Sequence, residues 1–180
     1  MNKNRLFGAC VAVTLSLLGN GVILAAEAAE KLEVTVEIPQ LNVGGYHRPY
    51  VAVWVQDADA KVVQNVAVWY QLKGKKKGSG TKWLPDLRQW WRRSGRELEM
   101  PVDGISGATR PVGKHELTID SKAALAQLKP GQYALVVEAA REHGGRELVK
   151  VPFSWPATAE QSYAVSGEKE LGEVTLTVRP

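Results

Sequence analysis

Cysteine is nearly absent from this sequence, with one residue, Cys10, among 180. A single cysteine excludes an intramolecular disulfide framework, a cysteine-ligated metal centre and covalent c-type haem attachment. Histidine is also scarce, and the three histidines form neither a helix-spaced pair nor a His-x-Glu arrangement, so no metal site is predicted. The sequence also lacks the Ser-His-Asp order of a hydrolase and a glycine-rich loop for phosphate.

The N-terminal segment has the three parts of a secretory signal peptide. Two basic residues precede an uncharged apolar run over 6–18, which is shorter than the roughly 20 residues that span a bilayer. Small residues around Ala26 provide a cleavage site. We therefore predict that residues 1–28 are a signal peptide, removed with Cys10, and that 29–180 form a single periplasmic domain. The alternative is an uncleaved N-terminal anchor.

The remaining chain has the pattern of short β-strands. Apolar and polar residues alternate over 31–38, which predicts a strand with one buried and one solvated face. Strand patterns bounded by turn signals follow at 50–55, 66–72, 115–119, 133–139, 148–153 and 174–178. These segments predict an all-β fold, an immunoglobulin-like antiparallel β-sandwich with one or two short helical insertions.

Two segments carry helix signals instead. Residues 84–93 have Pro85 in the first turn and two arginines at the end, and residues 121–128 precede Pro130. We predict that 81–112 form an insertion in the sandwich, which carries the first helix and the segment 103–109.

The positive net charge of +4 is concentrated partly in one tract, Lys73–Gly80. A tract rich in lysine and glycine predicts a solvated loop, and the alternative is a contact with an anionic surface or an acidic partner. Because the excess charge is local, we do not infer nucleic-acid binding.

The clearest chemical signature is the segment Asp103-Gly104-Ile105-Ser106-Gly107-Ala108-Thr109. It lies before the strand at 115–119, and we place it on an exposed connection. Small residues beside a hydroxyl suit a group that has to enter another enzyme's active site. Arg110 precedes a proline and is therefore biased towards an extended conformation, which holds Thr109 out of a helix. The alternative is a structural turn capped by Ser106 and Thr109.

The pattern Asp-x-x-Ser-Gly-Ala-Thr resembles the acceptor motif of FAD:protein FMN transferases, which attach FMN to Ser or Thr through a phosphoester. It is similar to the motif in the flavin-carrying subunits of the sodium-pumping NADH:quinone oxidoreductase and its electron-transport relatives. The resemblance implies that Thr109 carries covalent FMN. It also implies cofactor-binding roles for the five matching residues, Asp103, Ser106, Gly107, Ala108 and Thr109. Arg110 is adjacent to the acceptor, and we add it to the predicted cofactor-binding residues as a partner for the phosphate.

Longer segments resemble a family of predicted periplasmic proteins of unknown function, whose members often accompany flavin transferases and PepSY-type membrane redox proteins. The segments are Tyr50–Val55, Lys82–Leu87, Ser106–Pro111 and Ala140–Gly145. The resemblance implies that the partners are a flavin transferase and a membrane redox protein.

A tethered FMN requires a cation near its phosphate and an aromatic face near its ring. Arg110 is the first candidate for the phosphate, followed by Arg92 and Arg93. Three tryptophans of the predicted insertion are candidates for the ring: Trp83, Trp90 and Trp91. The others lie in or beside strand patterns and are expected in the core: Trp54, Trp69 and Trp155.

These patterns lead us to expect a periplasmic redox carrier that holds FMN on Thr109 and exchanges electrons with a membrane partner. Such a chain is the substrate of a transferase rather than an enzyme, so no catalytic residue is predicted. Two alternatives stay open. One is a secreted immunoglobulin-like binding or assembly domain without a cofactor, and the other is a metal-binding module built on His47 and His143.

Overall fold

The computed structural model describes residues 30–72, 80–120 and 122–180. The predicted signal peptide and residues 73–79 of the basic tract lie outside the described residues. The described residues form nine strands: β1 (Lys31–Ile38), β2 (Tyr50–Asp57), β3 (Val62–Tyr70), β4 (Ser106–Ala108), β5 (Gly113–Ile119), β6 (Gly131–Ala140), β7 (Arg146–Trp155), β8 (Gln161–Ser166) and β9 (Glu173–Arg179). They also form two α-helices, α1 (Arg88–Arg93) and α2 (Lys122–Leu125), and two 3-10 helices, Gly80–Asp86 and Gly95–Glu97.

The strands form two sheets. The four-stranded sheet has the order β5-β1-β9-β8, and every pair in it is antiparallel. The five-stranded sheet has the order β4-β3-β2-β6-β7, in which β4 alone runs parallel to its neighbour. The predicted all-β antiparallel sandwich is confirmed, with β4 as a short parallel addition at one sheet edge.

The main core lies between the two sheets and follows from the alternation in the sequence. Along β1, residues 32, 34, 36 and 38 are buried in this core while the residues between them are partly exposed. The middle of β2 and the second half of β6 are buried on both faces. This double burial is possible because residues 80–100 cover the outer face of the five-stranded sheet with a second apolar cluster.

The helical segment that covers the sheet is shorter and less regular than predicted. The expected helix over 84–93 is a 3-10 helix followed by α1, and the expected helix over 121–128 is reduced to α2. Leu84, Leu87 and Trp90 recur every three residues, and all three are fully buried against the sheet. A spacing of three residues per turn suits 3-10 winding, which explains the departure from one continuous α-helix. Burial of each such side chain contributes roughly 1.5–3 kcal/mol.

Two strands were not predicted from the sequence. β8 is an edge strand whose residues are mostly exposed, so it lacks a strong apolar alternation. The sequence predicts an exposed connection at β4. This prediction is wrong for 106–108, because Ser106, Gly107 and Ala108 pair with Val68, Trp69 and Tyr70 of β3. The strand predicted at 66–72 is observed as β3, which begins four residues earlier and ends at Tyr70. The polar residues near the start of β3 interrupt the apolar pattern, so the sequence does not reveal where the strand begins.

Candidate functional site

A cavity of about 600 Å³ lies at one end of the five-stranded sheet. Three residues at strand ends line it. Tyr50 is the first residue of β2, Ala140 is the last residue of β6, and Gln71 directly follows β3. The loop before β2, the turn between β6 and β7, and the first 3-10 helix supply the remaining walls. Small-molecule sites in proteins typically enclose roughly 300–1,000 Å³, so this cavity has the size of a ligand site.

Thr109 lines this cavity, directly after the last residue of β4. The residue is partly buried, so it is not sealed inside either core. Its hydroxyl makes no hydrogen bond with another residue in the described part of the chain. The oxygen predicted as the acceptor is therefore uncommitted, and it belongs to a residue that lines a space large enough for a ligand.

The other polar residues of the motif shape the backbone that leads to Thr109. The Ser106 hydroxyl accepts a hydrogen bond from the Val102 N–H at 2.9 Å, and the Ser106 N–H donates to the Val102 carbonyl at 2.9 Å. The Asp103 carboxylate accepts from the Gly104 N–H at 3.0 Å, and Gly104 adopts φ +73°, which glycine tolerates best. Asp103 and Ser106 line a different cavity from Thr109. The capped-turn alternative therefore applies to Ser106, whereas Thr109 caps nothing in the described residues.

The remaining motif residues pack near Trp69. A Cβ atom added to Gly107 would lie 3.1 Å from Trp69 Cδ1, which is a tight approach. The guanidinium of Arg110 lies 5.3 Å from the centroid of the Trp69 ring, in cation–π geometry. The His115 ring meets Trp69 edge-on at 5.7 Å. Arg110 is thus already engaged with a core tryptophan, and its predicted pairing with a phosphoester stays a prediction.

The tryptophans of the helical segment have different environments. Trp90 is fully buried, and its indole N–H donates to Asn65 Oδ1 at 2.9 Å, so it presents no face to a ligand. Trp91 is partly buried and packs against the same apolar cluster. Trp83 is 44% exposed and lines the Thr109 cavity. Three tryptophans are buried in the cores, as predicted: Trp54, Trp69 and Trp155.

One arginine of the cavity wall, Arg48, is a residue that the sequence analysis did not single out. Arg92 and Arg93 lie at the end of α1 and are absent from the walls of the Thr109 cavity; Arg93 donates to the Ala60 carbonyl. Arg48, in contrast, lines the cavity, is exposed and forms no ion pair with another described residue. It lies in a loop without periodicity, so no sequence pattern marked it.

Three titratable side chains cluster at the cavity wall: His47, Glu142 and His143. His47 Nδ1 lies 3.7 Å from one carboxylate oxygen of Glu142, and His143 Nε2 lies 3.8 Å from the other. The two imidazole centroids are 6.3 Å apart. Nowhere in residues 30–72, 80–120 and 122–180 are three or more His, Cys, Asp or Glu side chains arranged to hold a metal ion. His47 and His143, on which the metal-binding alternative depends, therefore lie close together but do not form a metal centre with other described side chains.

Tyr46 contributes an unpaired donor to the same cavity. Its hydroxyl oxygen is buried and has no hydrogen-bond partner in the described structure. Burial raises the pKa of the Tyr46 phenol, and nearby Glu170 adds to this effect, whereas Arg141 and Arg48 oppose it. Tyr46 therefore stays protonated at neutral pH, and its O–H can donate to a ligand.

A buried ion pair supports this side of the cavity. Arg141 donates to both carboxylate oxygens of Glu170, from Nε at 2.8 Å and from Nη2 at 3.0 Å. Their side chains are 8% and 4% exposed. The hydrogen bond with Glu170 raises the pKa of Arg141, so its charge is permanent and already neutralised. Arg141 thus has a structural role in the wall.

Comparison with known proteins identifies a family for this chain. A family model described as "Predicted periplasmic protein (DUF2271)" matches residues 31–173. No curated protein and no solved structure matches the chain. Within the described ranges, no helix is long and apolar enough to cross a membrane. The chain therefore belongs to the DUF2271 family of predicted periplasmic proteins, and we assign it to the periplasm.

Proposed function

We propose that this protein is a periplasmic redox carrier that holds FMN through a phosphoester on Thr109. One observation carries the proposal. The threonine of a segment resembling a flavin-acceptor motif lies in the wall of a cavity of about 600 Å³, with no hydrogen-bond partner for its hydroxyl in the described residues. A structural threonine in a turn would use its hydroxyl as a cap, as Ser106 does.

Attachment is carried out by a separate FAD:protein FMN transferase. The Thr109 oxygen attacks the phosphorus of the FMN half of FAD; a new O–P bond forms, the bond to the AMP half breaks, and AMP leaves. A base of the transferase takes the hydroxyl proton. This chain presents the oxygen: the cap by Ser106 fixes the turn, and the absence of a side chain at Gly107 lets the strand before Thr109 pack close to Trp69.

The residues around Thr109 fit a flavin. Trp83 offers an exposed aromatic face, and Arg48 offers an unpaired positive charge for an anionic phosphoester. When bound, the flavin supplies electron-transfer chemistry, and the chain supplies attachment, orientation and electrostatics. A carrier of this kind needs a partner, for which we propose a membrane redox protein, with the PepSY type as the first candidate.

The test is coexpression of the full chain with a flavin transferase, followed by purification of the exported protein, intact-mass measurement and visible absorbance. We expect a yellow protein with the mass gain of one FMN ester. Thr109→Ser keeps a hydroxyl and should retain the gain, whereas Thr109→Ala should lose it.

Thr118→Ala is the matched control, because it removes an exposed threonine hydroxyl outside the motif and leaves the turn before Thr109 intact. A gain that survives Thr109→Ala, or a colourless wild-type protein with no added mass, contradicts the proposal. The second result would favour a binding or assembly domain without a cofactor.

A further inference from the structure

We propose that the cavity beside Thr109 is a binding site for the isoalloxazine ring itself and holds the ring even without the covalent bond. The choice of ligand rests on the proposed function. The inference goes further, because a phosphate anchor on Thr109 alone would leave the ring free in solvent. A ring site predicts that the unmodified protein binds riboflavin, which has the ring and lacks the phosphate.

Trp83 provides the stacking surface. It lies in the cavity wall with 44% of its surface exposed, the largest exposed fraction among the exposed large apolar side chains of the described chain. The Lys82 ammonium lies 4.7 Å from the ring centroid, so one aromatic face already carries a cation. An exposed indole in a concave wall is costly to leave in water and well suited to a flat heteroaromatic ligand.

Tyr46 and Arg48 provide the polar complement. The buried Tyr46 hydroxyl lacks a partner, and a buried donor without an acceptor costs about 1–3 kcal/mol until a ligand satisfies it. Arg48 adds further donors without an ion pair in the described residues. The pyrimidine edge of isoalloxazine carries carbonyl oxygens and ring nitrogens that accept hydrogen bonds. The Tyr46 hydroxyl and the Arg48 guanidinium therefore match the polar edge of the isoalloxazine ring, and the Trp83 indole matches its flat aromatic face.

The other walls are fixed before any ligand arrives. Tyr50 forms a hydrogen bond with the backbone of Gln71, and a Cβ atom added to Gly80 would lie 2.2 Å from the Tyr50 hydroxyl. The Arg141–Glu170 pair holds the turn after β6, since Glu170 also accepts from the Gly145 N–H at 2.8 Å. A preformed cavity loses little freedom on binding, which favours affinity for a small ligand.

The experiment uses Thr109→Ala protein, which cannot be esterified, and riboflavin as the probe. Riboflavin emission is measured during titration with protein. We expect saturable quenching, because stacking on an indole quenches flavin emission. In the same background, Trp83→Leu should weaken binding about tenfold and Tyr46→Phe about threefold. Val112→Ala is the control, because Val112 is exposed and absent from the cavity walls.

Folding of each variant is checked by its urea midpoint, and Trp83→Phe, which keeps an aromatic face, should restore most of the affinity. The inference is overturned if Thr109→Ala protein shows no saturable quenching up to the solubility limit of riboflavin. It is also overturned if Trp83→Leu binds like the parent. Neither result depends on the mass gain that tests covalent attachment, so the two proposals fail separately.

Discussion

The carboxylate of Glu138 on β6 accepts a hydrogen bond of 2.9 Å from the backbone N–H of Trp90 in α1, across 48 positions of sequence. The same carboxylate accepts the Gln89 N–H and pairs with Arg146 Nη1 at 3.0 Å. Glu138 is fully buried. A sheet residue thus caps the first turn of α1, which ties the helical segment that includes Trp83 to the outer face of the sheet.

Replacement of Glu138 by Gln should destabilise the protein by about 2–4 kcal/mol. Gln keeps the size and loses the charge, so the bonds from Trp90 and Gln89 weaken and the ion pair with Arg146 is lost. Urea unfolding followed by tryptophan fluorescence measures the change. Glu116→Gln is the matched control, because Glu116 is exposed and forms no ion pair within the described chain. A loss below about 0.5 kcal/mol for Glu138→Gln would show that the cap is dispensable.

Addition of one methyl group at Gly95 should destabilise the protein by about 1–3 kcal/mol. A Cβ atom there would lie 2.5 Å from Trp90 Cζ3, and the Trp90 ring cannot move aside because its indole N–H is bonded to Asn65. Thermal unfolding of Gly95→Ala measures the loss. Gly44→Ala adds the same group where nothing lies within 4 Å, and its transition should match that of the wild type.

Glu147 makes stability depend on acidic pH. Burial alone raises the pKa of its carboxyl group, but hydrogen bonds from four consecutive backbone N–H groups over 168–171 outweigh burial and hold the pKa below its ordinary value. A carboxyl whose folded-state pKa is lowered contributes stability above its unfolded pKa of about 4.3, and this contribution is lost as pH falls through the folded value.

Glu147→Gln should therefore lose about 1–2 kcal/mol at pH 7, because neutral acceptors form weaker hydrogen bonds than a carboxylate. The difference between the two proteins should shrink as pH falls below about 4.3. Urea unfolding at a series of pH values measures both effects. A constant difference across the series would show that the charge of Glu147 does not contribute.

Arg48 and Arg110 should differ in their effect on an attached flavin. Reduction adds negative charge to the flavin, so removal of a cation that faces the cavity disfavours the reduced form. We expect Arg48→Ala to lower the midpoint potential by about 10–30 mV, where 30 mV is about 1.4 kcal/mol for a two-electron couple. Arg110→Ala should cause a smaller shift, because Arg110 stacks on Trp69. Spectroelectrochemistry of the flavinylated variants measures both shifts, and the reverse order would show that Arg110 acts on the ring more strongly than Arg48.

The regions where sequence prediction failed share a physical cause. Apolar strand patterns found β1, β2, β5, β6, β7, β9 and most of β3, because each of these strands buries at least one face in a core. They missed β8 and β4, which lie at sheet edges with mostly polar or small residues. Arg48 and Tyr46 carry no periodic signal, since their loop reaches the cavity only through the fold.

Local sequence patterns are sufficient to predict a β-sandwich and the compact motif of small residues that contains Thr109. Both conclusions depend on neighbours along the chain, which the pattern displays directly. The aromatic and cationic side chains around Thr109 become known only from the three-dimensional fold. Trp83, Tyr46 and Arg48 belong to separate segments, and they meet because the loop before β2, the first 3-10 helix and the end of β4 converge at one end of the same sheet.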